Sequence, residues 1–216
     1  MKRAATKNER GVLLKITPRK LPSRAGSRAR VEKIVATTIE VISNKGLDGF
    51  TTNEIAKKAG IPIGSLYQYF PNKQSILYAI MQDWLAEIEE RTATFPLEKY
   101  AKSSSKRLLE DFSKSVGTYD RYTGKRRKLG QLLISAAATY PELNELYEKH
   151  KEFTIDALVV FLHQAGSNWD AERMRKLGHY LFELRNTIYQ VPDDVVEEAI
   201  YFREVATIAL IKDAFK

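Results

Sequence analysis

Apolar residues recur at steps of three and four along most of the chain, which is the spacing of one face of an α-helix. The first such stretch predicts a helix from Ser27 or Arg28 to Lys45, and Gly46 supplies its stop signal. The apolar face of this helix consists of Val31, Ile34, Val35, Ile39 and Ile42.

The segment from Thr51 to Lys73, TTNEIAKKAGIPIGSLYQYFPNK, predicts two short helices joined by one tight turn. Thr51 and Glu54 have the spacing of a capping box, in which each side chain bonds the other residue's backbone N–H. Gly60 suits the left-handed conformation that ends a helix, and Pro62 suits the first turn of the next one. The turn is therefore predicted at residues 60–62.

The two faces of this helix pair differ in chemistry. The inner face is apolar and also fits an ordinary helical hairpin; it consists of Ile55, Ala59, Ile61, Leu66 and Tyr69. The outer face of the second helix offers hydroxyls, an amide and approachable backbone, and no carboxylate follows until Asp83. Such a surface suits a polyanion such as DNA. It consists of Gly64, Ser65, Tyr67, Gln68 and Tyr69, with Lys73 just beyond.

The rest of the chain continues the helical pattern. Asn72 is positioned to cap a longer helix that ends before Pro96. Further helices are predicted near 103–120, 124–140, 142–165, 168–190 and 193–214, with Ser167 or Asn168 as the cap of the fourth of these. No strand pattern competes, so the chain is predicted to be all-α, with three helices followed by six.

The pattern T-x-x-E-I-A-x-x-A-G-I-x-x-G-S-L-Y-x-Y-F-x-N-K closely resembles the helix-turn-helix signature of TetR/AcrR-type regulators, and the resemblance covers roughly residues 28 to 88. It implies a three-helix DNA-binding head and a six-helix domain for ligand binding and dimerisation. The implied organisation is a basic arm at 1–27, a DNA-binding domain at 28–73 with its helix-turn-helix at about 51–70, and a regulatory domain at 74–216.

The resemblance also implies a role: sequence-specific binding to double-stranded DNA by a homodimer that reads a palindromic operator, with repression as the usual outcome. Thr51 or Thr52, Tyr67 and Lys73 would contact phosphates, while residues 63–69 would enter the major groove. The predicted DNA-contacting residues are Thr51, Thr52, Ile63, Gly64, Ser65, Tyr67, Gln68, Tyr69 and Lys73.

Two positions depart from the family pattern. Pro62 stands where many relatives have Ser or Thr, so a capping hydroxyl is missing. Ile63 stands where a polar or basic residue is common. An apolar side chain there suits contact with a thymine methyl group instead.

The last two predicted helices carry apolar seams with steps of three and four, and additional apolar residues lie beside them. A four-helix interface between two copies would cover this surface, although two internal core helices would show the same pattern. The predicted dimer interface consists of Met174, Leu177, Leu181, Leu184, Ile188, Val195, Ala199, Phe202 and Ala206.

A small-molecule effector, largely apolar, is implied by the resemblance, in a pocket among the fourth to eighth helices. The candidate pocket residues are Trp84, Phe112, Tyr119, Tyr122, His150 and Phe153. Aromatic residues at helical spacing usually belong to the core, and a hydrogen-bonded structural role is the commoner one for a histidine such as His150. A bound effector would favour a spacing of the two heads that no longer fits DNA.

Composition and charge refine this interpretation. The chain has 216 residues, of which 44% are apolar, and no cysteine, which excludes disulfides and thiolate metal sites. Its net charge of +8 is concentrated in residues 1–30, which alone carry +9. This arm is predicted to reach phosphates or a minor groove beside the recognition helix. The alternative is a non-specific nucleic-acid or anionic-surface binder that acts through the arm.

Catalysis has few starting points in this sequence. The three histidines include His179, four residues before Glu183, but no third ligand is apparent, and neither a glycine-rich phosphate loop nor an HExxH motif occurs. We therefore expect no enzyme activity, no cofactor and no metal site. No stretch is apolar enough to span a bilayer, and the N-terminus lacks the apolar core of a signal peptide, so a cytoplasmic location is expected.

Overall fold

A computed structural model describes residues 25–93 and 124–216. Within these ranges the chain forms helices and no strands, which confirms the predicted all-α fold. The predicted helix near 103–120 and nearly all of the basic arm lie outside the described residues. The helices are α1 (Ala25–Lys45), α2 (Thr52–Lys58), α3 (Ile63–Tyr69), α4 (Lys73–Ala93), α5 (Gly124–Thr139), α6 (Pro141–Gln164), α7 (Ala171–Asn186) and α8 (Val196–Asp213), with short 3-10 turns at Thr187–Tyr189 and Asp193–Val195.

The start of α7 differs from the prediction. The Asp170 side chain accepts a hydrogen bond from the Arg173 backbone N–H at 2.8 Å, so Asp170 is the N-cap. Ser167 was expected to cap this helix, but its hydroxyl donates to the Ala214 carbonyl at 2.6 Å. The prediction of a cap at Ser167 or Asn168 is therefore wrong, because a tertiary contact takes the serine hydroxyl.

The described chain divides into two compact units. One contains the described residues up to Ala86 together with Lys128–Glu148, and the other contains those of Glu87–Arg127 together with Lys149–Lys216. The divisions fall inside α4, α5 and α6, so single helices belong to both units. The functional boundary proposed between residues 73 and 74 remains a prediction.

The first unit has a core formed by α1 to α4. Phe50, just before α2, and Ile55 inside α2 are both buried, as the hydrophobic staple at this helix start requires. Other side chains with less than 2% exposure include Ile34, Ile42 and Leu66 of the predicted apolar faces, together with Phe70, Ile76 and Leu77. The periodic pattern of the sequence therefore identifies the core of the head.

The second unit packs the end of α6 against the start of α7 and the end of α8. Its buried cluster consists of Phe161, Leu162, Met174, Leu177, Ile211 and Ala214. Farther along α7, Gly178 lies directly against Ile155 of α6: a Cβ atom built on this glycine would be 2.9 Å from Ile155 Cγ2. The close approach of these two helices depends on a residue without a side chain.

We expect Gly178→Ala to destabilise the protein by about 1–3 kcal/mol, the usual cost of overpacking a core. The clash with the branched Ile155 side chain should outweigh the gain of about 1 kcal/mol that alanine brings to a helix interior. Urea denaturation followed by circular dichroism measures the effect. Gly64→Ala is the matched control, because nothing lies within 4 Å of the added methyl group. Equal stability of the Gly178→Ala variant and the parent would contradict the packing argument.

Candidate nucleic-acid interface

The start of α2 is fixed by side-chain contacts. Thr51 Oγ1 accepts from the Glu54 backbone N–H at 3.2 Å, which confirms one half of the predicted capping box. The Glu54 carboxylate makes a different bond from the one expected, since it accepts from Lys45 Nζ at 2.6 Å. The end of α1 is thereby tied to the first turn of α2.

The turn between α2 and α3 lies where the sequence predicts it. Gly60 has a φ of 63°, in the left-handed region. Its N–H donates to the Lys57 carbonyl at 3.1 Å, and the Ile61 N–H donates to the Ala56 carbonyl at 3.0 Å. These two bonds form a Schellman motif, which satisfies carbonyls at the end of α2. Pro62 follows in an extended conformation and directly precedes α3.

Helix α3 has one buried and one exposed side. Leu66 is fully buried, whereas Ile63, Gly64, Tyr67 and Gln68 are exposed. Ser65 is half-buried. The exposed residues are those that the sequence assigns to DNA contact.

Tyr69 departs from this expectation. Its side chain was assigned both to the packed face and to the DNA-contacting face, but only 8% of the residue is exposed. The helical period explains this position, because Tyr69 lies three residues after the buried Leu66 and therefore on the same side of α3. The expectation that the Tyr69 ring forms part of the outer surface is wrong.

A hydrogen bond joins the outer surface of α3 to the start of α2. Thr52 Oγ1 and the Tyr67 hydroxyl are 2.9 Å apart. Tyr67 is 40% exposed, so this contact orients a side chain that would otherwise rotate freely in solvent. This hydrogen bond uses the proton of one of the two hydroxyls. The hydroxyl that accepts keeps its own proton and can donate it to an acceptor such as a phosphate oxygen.

Lys73 and its neighbours form the start of α4. Asn72 Oδ1 accepts from the Ser75 N–H at 2.8 Å, and Ser75 Oγ accepts from the Asn72 N–H at 3.3 Å, which confirms Asn72 as a capping residue. Lys73 Nζ lies 5.3 Å from the centre of the Phe50 ring. This cation–π contact orients the half-buried Lys73 side chain at the start of α4.

The charges around α3 favour an anionic partner. No Asp or Glu occurs between Glu54 and Asp83, and Glu54 is paired with Lys45. Lys58 of α2 is paired with Glu40 of α1 at 2.7 Å. Lys73 has only the Phe50 ring as a partner among the described residues, so its charge remains available to a phosphate.

Helix α2 is short and capped, and a tight turn joins it to α3. Helix α3 packs through one side and exposes another side that carries no carboxylate. This arrangement defines a helix-turn-helix protein. The family model "Bacterial regulatory proteins, tetR family" matches residues 34–80, which contain this unit. The tetracycline repressor protein class C of Escherichia coli is 32% identical over 158 residues, which cover 65% of this chain and 68% of that protein. The chain belongs to the TetR family.

Other comparisons agree on the head and on the fold. YvdT, an uncharacterized HTH-type transcriptional regulator of Bacillus subtilis, is 45% identical over 56 residues, 26% of this chain and 29% of that protein. The matches to this and two further curated relatives span only about a third of their lengths. The structure of the multidrug binding protein EbrR in complex with malachite green superimposes with a TM-score of 0.63 at 19% identity, covering 88% of this chain and 98% of that one.

The residues assigned to a dimer interface divide into two groups. Met174, Leu177 and Ile188 are buried within their own unit, so their assignment to an intermolecular surface is wrong. The other six remain at least partly accessible, and Phe202 is 64% exposed; they are Leu181, Leu184, Val195, Ala199, Phe202 and Ala206. The large exposed apolar residues of the same two helices are Tyr180, Tyr201, Phe202 and Val205, which we call the α7–α8 apolar face.

The described residues include three of the six candidate pocket residues. Phe112, Tyr119 and Tyr122 lie outside the described residues. Trp84 is buried in the first unit, while His150 and Phe153 belong to the second. Phe153 is 39% exposed, and His150 is 1% exposed. Of the candidate pocket residues that the structure describes in the second unit, only His150 is both buried and polar.

His150 bonds through both ring nitrogens. Nε2 is 3.4 Å from Arg185 Nη2, and because a guanidinium only donates, Nε2 accepts. Nδ1 then carries the proton and donates to Glu89 Oε1 at 3.1 Å. Burial, reinforced by the charge of Arg185, lowers the pKa of His150 to about 3. The ring is a neutral, hydrogen-bonded histidine, as the commoner sequence interpretation expects.

A separate cleft of about 470 Å³ lies between the end of α6 and the start of α7. Asp170 is the one acidic residue among those that line this cleft. The guanidinium carbon of Arg173 lies 3.8 Å from the centre of the Trp169 ring, which also lines the cleft. The cleft shares no residue with the predicted pocket. It is lined by Val159, Val160, His163, Gln164, Trp169, Asp170, Ala171 and Met174.

Two further findings concern metals and membranes. Glu183, which lies four residues after His179, accepts from Lys151 Nζ at 2.7 Å. Residues 25–93 and 124–216 contain no group of three His, Cys, Asp or Glu side chains arranged to hold a metal ion. No helix in the described ranges combines the length and the apolarity needed to cross a bilayer.

Proposed function

We propose that this protein is a cytoplasmic, ligand-responsive transcriptional repressor that binds a palindromic operator as a homodimer. The observation that carries the proposal is the exposed polar face of α3, which is oriented by the buried Leu66 and by the Thr52–Tyr67 hydrogen bond. An α-helix fits the major groove of DNA, and hydroxyls, amides and lysines are its usual contacts.

The proposed roles follow from position and chemistry. Thr51, Thr52, Tyr67 and Lys73 contact phosphates, because they supply hydroxyls and a positive charge at the edges of α3. Gln68 reads a base edge, for which the preferred partner of an amide is adenine. Ile63, whose side chain is exposed, contacts a thymine methyl group, while Gly64 and Ser65 allow close approach.

The proposed dimer uses the α7–α8 apolar face. Several exposed aromatic and branched residues on adjacent helices are a usual mark of a protein interface. Two-fold symmetry would place the two recognition helices about 34 Å apart, or at a multiple of one DNA turn, for a palindromic site.

The proposed effector acts by differential affinity for two conformations of the dimer, of which one binds the operator. Support comes from relatives: the EbrR structure contains malachite green, and the E. coli relative is a tetracycline repressor. The site proposed for the effector lies in the second unit, near His150.

Substitution of Gln68 and Lys73 tests the reading of DNA. A duplex consensus is first selected from a random pool, and it should be palindromic. Gln68→Ala should then relax the preference at one position per half-site, at a cost of about 1–3 kcal/mol for the preferred base. Lys73→Ala should weaken binding similarly on all duplexes and reduce the salt dependence of log K by about one per subunit.

Matched controls for this experiment are Gln190→Ala and Lys176→Ala, two exposed residues of the second unit. Affinity is measured by fluorescence anisotropy at several salt concentrations. A pool that yields no consensus, together with unchanged binding by both Gln68→Ala and Lys73→Ala, would instead support non-specific binding through the basic arm.

A further inference from the structure

Arg185 of α7 differs from neighbouring arginines in its partners. Arg126 and Arg127 form ion pairs with Glu87 and Asp193, respectively. Arg173 lies 3.8 Å from Asp213, and Arg175 is paired with two acidic side chains of α6. Within the described part of the chain, Arg185 is within ion-pair distance of no carboxylate.

The contacts of Arg185 leave most of its donors available. A guanidinium has five N–H groups arranged as a planar fork. Nη2 is 3.4 Å from His150 Nε2, a long contact to a neutral ring, and the guanidinium carbon lies 4.8 Å from the centre of the Phe182 ring. Arg185 is half-buried. The guanidinium is therefore held in place by two uncharged rings, while its charge is partly removed from solvent.

The surroundings of Arg185 favour a single negative charge. His150 is neutral, because burial and the charge of Arg185 lower its pKa to about 3. For Tyr189, burial raises the pKa of the phenol, and the positive charges of Arg185, Arg126 and Arg127 oppose that rise. Three guanidiniums thus act on one partly enclosed region. Since Arg126 and Arg127 already have carboxylate partners, Arg185 is the group that remains to bind an anion.

We infer that Arg185 binds the carboxylate group of the effector, and that the effector is an apolar organic acid with one negative charge. This inference rests on the ligand-responsive function proposed above and names the ligand class of that site. A planar carboxylate matches the guanidinium fork through two parallel hydrogen bonds. The buried Phe182 ring packs against the guanidinium and fixes the orientation of its fork, while the apolar character of the acid follows from the largely apolar effector that the sequence predicts.

The geometry also connects the ligand to α4. Glu89 of α4 and Arg185 of α7 bond opposite nitrogens of the same His150 ring. A carboxylate that engages Arg185 competes with His150 Nε2 for the guanidinium donors and brings a second negative charge toward Glu89. Both effects weaken the chain of contacts from α7 through His150 to α4, which is the helix that begins at Lys73.

Binding of matched acids and amides tests the inference. The full-length protein is titrated with octanoate and phenylacetate, each beside its neutral amide, and with inorganic phosphate, while its Tm is recorded at constant pH and ionic strength. At least one of the two acids should raise the Tm in a saturable manner, whereas its amide and phosphate should not. No stabilisation by either acid, equal stabilisation by its amide, or stabilisation by phosphate alone would overturn the inference.

Two variants assign the effect to Arg185. Arg185→Gln should raise the Kd of the acid at least about tenfold, because a charge-assisted bidentate contact is lost. Arg185→Lys keeps the charge without the fork, so its Kd should lie between those of the parent and the Gln variant; it also serves if the Gln variant does not fold. Arg175→Gln, which removes an ion-paired arginine from the same helix, should bind the acid as the parent does.

Operator binding by the same proteins separates this inference from the proposed function. Arg175→Gln should bind the selected duplex as the parent does and should be released by the acid, whereas the duplex binding that Arg185→Gln shows should not change when the acid is added. If the parent binds DNA and no acid releases it, the ligand assignment fails while the DNA-binding function stands. If the parent binds no duplex, the proposed function itself fails.

Discussion

Phe202→Glu should convert the proposed dimer into a monomer and lower the affinity for a palindromic duplex by roughly 100-fold or more. Phe202 is 64% exposed, so the single chain should fold normally with a glutamate at this position. In an interface, however, the new carboxylate would be desolvated without a partner, which typically costs several kcal/mol. The ring also contacts that of Tyr201, with centres 5.7 Å apart, so an aromatic pair would be lost.

Sedimentation equilibrium gives the mass of each variant, and anisotropy gives its affinity for whole and half operators. Phe153→Glu is the matched control, because it makes the same substitution at an exposed phenylalanine on α6, outside the α7–α8 apolar face. The control should stay dimeric. A Phe202→Glu protein with the mass and operator affinity of the parent would show that the dimer uses another surface.

The stability of the parent protein should fall by about 1.4 kcal/mol for each pH unit below 6.5 through the contribution of His150 alone. Burial and Arg185 lower the pKa of the folded-state imidazole from 6.5 to about 3. Between these values the unfolded chain binds a proton that the folded chain does not, so acid favours unfolding. The contribution is fully favourable above pH 6.5 and is progressively lost as the pH falls toward 3.

His150→Gln isolates this effect because glutamine does not titrate. Its side-chain NH2 group can still donate to Glu89, and its side-chain carbonyl can still accept from Arg185. Urea unfolding of both proteins from pH 7.5 to 4.5 should show the parent losing about 3 kcal/mol relative to the variant. His163→Gln removes an exposed histidine from the same helix without touching the buried site, and is the matched control. Parallel curves for the parent and His150→Gln would refute a neutral, buried His150.

Local signals in the sequence were sufficient for most of the fold. The turn at Gly60, the caps at Thr51 and Asn72 and the helical periodicity depend on residues a few positions apart, and all are confirmed. The cap of α7 was misplaced because Ser167 bonds Ala214, which lies 47 residues later. A contact of that range leaves no mark in the local pattern.

The candidate sites were predicted less completely, for the same physical reason. The helical period shows which side of α7 is apolar but not which element covers that side. The sequence therefore assigns Met174 and Leu177 to a partner subunit, whereas α6 and α8 of the same chain cover them. Arg185 and Glu89 were missed altogether. They lie 35 and 61 residues from His150, and no spacing rule joins the three side chains.

The single helix α4 carries Lys73 at its first residue and Glu89 near its end. At about 1.5 Å per residue these positions are separated by about 24 Å along the axis. A tilt of about 10° around the glutamate end would sweep the lysine end through about 4 Å, which exceeds the reach of a charged hydrogen bond. A small rotation at Glu89 would thus move Lys73 out of reach of the phosphate that it is proposed to contact.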